Sequence, residues 1–163
     1  MSKKYDLKGV VLQFRVAGEF THGEPYGGGH INDTFKIDTD EYGKRVRYIL
    51  QRINHLVFKN PEGMMDNIQR VTEHLRHKEK SAFKSRLYLI NTHDDGIMYR
   101  DPNGNYWRLH NFIEGAATYD IIESTEQAYQ GAKAFGIFQQ ELADLPGEDL
   151  FETIPDFHNT PKR

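Results

Sequence analysis

Leu7, Val10, Val11 and Phe14 follow one another at steps of three and four within residues 5 to 16, which predicts a short amphipathic helix ending near Gly18. From Phe20 to Ile53 the period shortens to short apolar and aromatic alternations broken by glycine. PYGGG at 25–29 and DEYG at 40–43 are turns, INDTFKID at 31–38 and RVRYILQRI at 45–53 are runs between them, and the pattern predicts a three-stranded meander. After Pro61, which helix entry tolerates, Met64, Ile68, Val71 and Leu75 share one stripe and predict a helix over 62–79. Strand signals return in RLYLINT at 86–92, GIMYRD at 96–101 and YWRLHNFI at 106–113, the last two joined by PNGN at 102–105, whose Asn-Gly pair favours a hairpin. Beyond Gly115, the residues Ala128, Ala132, Phe135, Phe138, Leu142 and Leu145 repeat at helical spacing and predict a helix that stops before Pro146 and Gly147. The layout is α+β: an antiparallel sheet with one inserted helix over 1–115, then the start of a helical region over 116–163.

Composition narrows the function. The 163 residues carry 21 Lys plus Arg against 24 Asp plus Glu, with 37% hydrophobic residues, the profile of a mildly acidic globular chain long enough for a real core. The densest basic stretch, HKEKSAFKSR at 77–86, is interrupted by Glu79 and uncharged residues, so no nucleic-acid partner is expected. The absence of cysteine excludes disulfides, thiolate metal sites and a cysteine nucleophile, and suits a cytoplasmic location. No apolar run reaches the roughly 18 to 20 residues of a membrane helix, and no membrane partner is expected.

The sharpest local feature is YGGGHINDTF at 26–35. Three successive residues without Cβ let the backbone turn tightly and bring its amides close to an anion, a geometry that favours phosphate oxygens. A glycine turn between strands is also an ordinary hairpin, and that segment alone does not choose between the two. The order of elements adds weight: a glycine loop, a third strand with a polar and basic end, a helix, a hairpin, and an apolar strand entering a glycine turn follow the plan of a kinase amino-terminal lobe.

GGGHINDTF, YILQRIN, VFKNPEGMMDNIQRVTEHL and the stretch ending IPDFHNT together resemble the N-acetylhexosamine 1-kinases of the aminoglycoside and choline phosphotransferase family, over nearly the whole chain. The resemblance implies a protein-kinase-like fold and transfer of the ATP γ-phosphate to the anomeric hydroxyl of an N-acetylhexosamine (GlcNAc or GalNAc), with Mg²⁺ in the full-length enzyme. On its pattern, Gly27, Gly28 and Gly29 cover the nucleotide phosphates, Asn32 ties the hairpin together, and His30 faces the sugar, its alternative being a solvated turn histidine. Kinases place a lysine on the third strand to hold phosphates; this strand offers none. Alternation lets Gln51 or Arg52 point into the cleft but not both: alignment favours Gln51, charge matching to phosphate favours Arg52. On the helix, Glu73 lies opposite the buried stripe and reads as a surface residue, whereas Asn67 flanks the stripe and is aimed toward a contact with Gln51. The adenine would be read by the carbonyl of Asn111 and the amide of Ile113, with Phe112 between them facing elsewhere.

No H-x-D-x-x-x-x-N catalytic loop follows Ile113, and the HDD at 93–95 precedes the hinge and reads as a solvated turn. No catalytic or metal-binding residue is therefore assigned. The expectation is the front part of a longer sugar kinase, inactive alone, with self-association through exposed apolar positions of the last helix. The alternative is a non-catalytic nucleotide- or carbohydrate-binding module. His74 and His77, three apart on the helix, lack a third metal ligand in sequence and read as surface residues.

Overall fold

The computed structural model describes residues 5–78 and 87–162. The last residue of the predicted 62–79 helix, the first of the 86–92 strand and most of the basic stretch at 77–86 lie outside the described residues.

Asp6 caps the first helix, α1 (Leu7–Val11), by accepting a hydrogen bond from the Gly9 amide at 2.9 Å. The helix is much shorter than the 5–16 pattern predicted. Phe14 instead forms a β-bridge with Thr92, while the Arg15 amide donates to the Asn91 carbonyl and the His93 amide to the Gln13 carbonyl. Pairing with a distant strand satisfies the backbone here and buries Phe14, which another helical turn would not do.

The meander forms as predicted: β1 (Glu19–Pro25), β2 (Asp33–Glu41) and β3 (Lys44–Ile53) are antiparallel. Tyr42 (φ 54°) and Gly43 (φ 83°) make the two-residue turn between β2 and β3, both in the left-handed region that a type I′ hairpin requires. Asn60 accepts from the Gly63 amide at 2.9 Å and starts α2 (Pro61–Lys78), with Pro61 at its first position. The chain then returns through β4 (Leu89–Ile90), β5 (Tyr99–Arg100) and β6 (Tyr106–Asn111). The sheet order is β1-β2-β3-β6-β4, with β5 also on β6. β4 and β5 are far shorter than the runs 86–92 and 96–101 predicted, because β3 occupies one edge of β6 and the other is shared: β4 pairs with Leu109 and His110, β5 with Tyr106 and Trp107.

Alternation sorts the sheet into two faces. Tyr48 and Leu50 of β3, Trp107 and Leu109 of β6 and Ile37 of β2 bury against Val10, Val11 and Phe14. Ile53 and Tyr106, on the opposite face, pack with Met64 and Met65 of α2. α3 (Thr125–Leu142) starts at Ser124, which caps the Gln127 amide, and ends at Ala143, three residues before Pro146. None of its residues is buried. Among the described residues, no helix is long and apolar enough to cross a membrane.

Candidate functional site

The face that carries α2 also carries the polar side chains of the sheet. Period-2 alternation and strand register place Thr34 and Lys36 of β2, Arg47, Ile49 and Gln51 of β3, and Arg108 and His110 of β6 on that side. Gln51 stands directly across from both Thr34 and Arg108. Its amide nitrogen donates to Thr34 Oγ1 at 3.0 Å, and its Oε1 accepts both Arg108 Nε (2.9 Å) and Nη2 (2.8 Å). Arg108 Nη1 lies 3.9 Å from Sδ of Met65.

Arg108 differs electrostatically from the basic groups around it. Lys36 pairs with Glu24 at 2.5 Å, Arg47 with Glu114, and Arg52 with Asp33 at 2.6 Å. Arg108 has no carboxylate partner among the described residues, only a neutral amide oxygen and a thioether. Burial lowers its pKa from the usual guanidinium value, the sign of a cation held out of water, yet a guanidinium stays protonated at neutral pH. Next to it, His110 is held down at about 4, first by burial and then by the Arg108 charge, so it is neutral at pH 7. Among the described residues of this patch, Arg108 is therefore the positive charge without a carboxylate partner.

The glycine loop, residues 26–32, joins β1 to β2, and Gly27 and Gly29 line a cleft with Tyr5, Phe35 and Arg52. Asn32 Oδ1 accepts from the Asn54 amide at 2.9 Å and ties the loop to the end of β3. Gly27 needs its φ of 79°, whereas Gly28 and Gly29 have open space where a Cβ would stand. The amides of Gly27, Gly28 and Gly29 make no hydrogen bond among the described residues, and His30 is exposed. At the root of the loop the Tyr26 ring meets Phe112 edge-on, with centroids 5.8 Å apart, and the Arg47 guanidinium lies over Phe112 at 4.6 Å. The loop thus touches the end of β6, where the Ile113 amide has no hydrogen-bond partner among the described residues. Asn111 is buried, its side chain accepting from the Tyr88 amide at 2.8 Å and its carbonyl 3.2 Å from His110 Nδ1.

No family model matches the sequence. Among solved structures, the chain is similar to spectinomycin phosphotransferase, APH(9)-Ia, in complex with ADP and spectinomycin, at a TM-score of 0.51 and 11% identity, covering 80% of this chain and 35% of that one. The fold is protein-kinase-like. The chain spans about a third of the neighbour's length, and the sheet with its inserted α2 has the architecture of a kinase amino-terminal lobe.

Within that lobe, β3 presents Gln51 to the α2 side and Arg52 to the other. Arg52 closes on Asp33, which also accepts from the Tyr5 hydroxyl at 2.7 Å, and it lines a cleft behind the glycine loop with Tyr5 and Tyr26. The expected contact between Gln51 and Asn67 is not made. Gln51 is taken by Thr34 and Arg108, and Asn67 by both backbone groups of Phe151, at 2.8 and 2.9 Å. Glu73 is exposed on α2, as its position opposite the stripe predicted. His74 and His77 do not converge: His74 Nε2 faces Asp144, while His77 Nδ1 sits on the Glu73 carbonyl. Among the described residues no group of three or more His, Asp or Glu side chains is placed to hold a metal. The residue that sequence reasoning missed is Arg108. Its signal, a basic position in an otherwise apolar strand, gains meaning only once the register sets it opposite Gln51.

Proposed function

We propose that this chain is the nucleotide-binding lobe of an ATP-dependent sugar kinase, with residues 1–115 forming the lobe and 116–163 beginning the helical second lobe. The observation that carries the reading is Arg108: a cation withdrawn from water, without a carboxylate among the described residues, on the α2 side of the sheet and directly across from Gln51 of the third strand, the strand on which kinases keep their phosphate-binding lysine. A guanidinium in that state is completed by an anion, and its fork suits phosphate oxygens. Gln51 takes the orienting part that a helix carboxylate has elsewhere, holding the guanidinium plane through two bonds to one oxygen. The unpaired amides of Gly27 to Gly29 supply further donors to the phosphates, and the strand end at Asn111 and Ile113 supplies the backbone groups that would read an adenine.

For the sugar, the support is the resemblance of GGGHINDTF and its companion segments to N-acetylhexosamine 1-kinases, together with the exposed His30 beside the loop. The reading is therefore anomeric phosphorylation of GlcNAc or GalNAc by the enzyme to which this lobe belongs. None of the described residues is assigned the transfer step, since no catalytic-loop sequence is present. Calorimetric titration with ADP, without added Mg²⁺, tests the nucleotide reading. Saturable binding competed by ATP is expected, and no binding at millimolar ADP overturns it.

A further inference from the structure

Along one face of α2, at steps of three, four and four residues, Asn67, Arg70, His74 and Lys78 all reach the segment 141–151. The Arg70 guanidinium donates to the carbonyls of Pro146 (3.3 Å) and Glu148 (2.5 Å), and Lys78 donates to the Glu141 carbonyl at 2.7 Å. Asn67 closes a two-bond ring with the backbone of Phe151. The Phe151 ring then lies over Gly63, where a Cβ would come within 2.9 Å of it. That close approach sits in the same turn as Met65, the fully buried residue beside Arg108.

Apart from Leu75, the buried residues of α2 are confined to the first turn and the residue after it, from Pro61 to Met65, with Ile68 partly buried against the same cluster. A helix gripped at one end by a small apolar cluster needs a second constraint to fix its axis. The bonds to 141–151 provide it along the helix length.

We propose that residues 141–151 are a strap that sets the position of α2, and through Met65 the position of Arg108. Asn67 and Arg70 are then positioning residues for anion binding, although neither hydrogen-bonds to Gln51 or Arg108. The affinity part of this proposal rests on the nucleotide reading above; the positional part does not.

The test follows the Arg108 Nε–H resonance, which the bond to Gln51 protects from solvent exchange, in the full ¹⁵N-labelled chain carrying Asn67→Ala, Arg70→Ala or Arg70→Lys. The alanine variants are expected to speed exchange at Arg108 Nε and in the α2 amides while β2 and β3 stay protected. Arg70→Lys, which still donates to a carbonyl, is expected to restore part of the protection and guards against an alanine variant that fails to fold. In ADP titrations, Asn67→Ala is expected to weaken binding about tenfold, roughly the worth of one good polar contact, but to change nothing further in an Arg108→Met background. Unchanged Arg108 exchange beside loosened α2 amides overturns the strap, as does an Asn67→Ala effect on ADP equally large in both backgrounds. If the unaltered chain binds no ADP, the nucleotide reading fails, and the exchange measurement still decides the strap.

Discussion

Arg108→Met separates a binding role from a structural one, because the two predict opposite balances of affinity and stability. Methionine keeps the apolar stem of the side chain and removes the guanidinium with its charge. In the unliganded protein the change loses two hydrogen bonds to Gln51 Oε1 and relieves a cation held out of water without a carboxylate. Lost bonds of this type are worth roughly 1.5 to 3 kcal/mol, and relief of an unpaired charge is of similar size with opposite sign, so the net effect on stability should lie within about 1 kcal/mol of zero. With nucleotide bound, the same guanidinium makes charge-assisted contacts to phosphate that methionine cannot replace. Their loss, again about 1.5 to 3 kcal/mol, weakens ADP binding by roughly 10- to 150-fold. Calorimetry with ADP gives the affinity, and urea unfolding without ligand gives the stability. Arg52→Met serves as the comparison: Arg52 pairs with Asp33 on the opposite face, so it should lose about 1 kcal/mol of stability and keep its ADP affinity. If Arg108→Met binds ADP like the unaltered chain, or Arg52→Met loses affinity instead, the assignment of the cleft cation is wrong.

His110 makes stability depend on pH. Folded, it titrates at about 4 rather than 6.5; the unfolded chain therefore binds more protons between those values, and stability present at pH 7 declines as pH falls through 6.5 toward 4. One such group contributes on the order of 3 kcal/mol, so the urea midpoint should drop between pH 7 and 4.5, and His110→Gln should flatten that dependence. Gly28→Ala and Gly29→Ala meet open space in the unliganded chain and should leave the melting temperature unchanged. Both should weaken ADP binding, because a Cβ keeps the loop amides away from phosphate; equal affinity in both variants would remove the loop from the site. Phe135, Ile137 and Phe138 are exposed on α3, and burying one phenylalanine contributes roughly 1.5 to 3 kcal/mol. Light scattering should accordingly show mass rising with concentration, an effect that Phe135→Ser with Phe138→Ser suppresses.

The identity and order of the elements could be read from the chain, because each depends on neighbours a few residues apart. The Tyr42-Gly43 turn, the α2 stripe of Met64, Ile68 and Leu75, and the start of α3 before its apolar repeat all rest on local period or turn chemistry. So does the glycine loop as a candidate anion cradle. What local pattern missed was settled by partners far away. Phe14 left the predicted helix for Thr92, and β4 and β5 shrank because both had to share one edge of β6. Asn67 turned to Phe151, 84 residues on, rather than to Gln51. Arg108 meets Gln51 across 57 residues, and a shift of one residue in the register between β3 and β6 would send their side chains to opposite faces. The sequence alone determined that a glycine loop and a polar third strand would be joined through β2; which cation stands beside Gln51 depended on strand register, a property of the assembled sheet that no single segment contains.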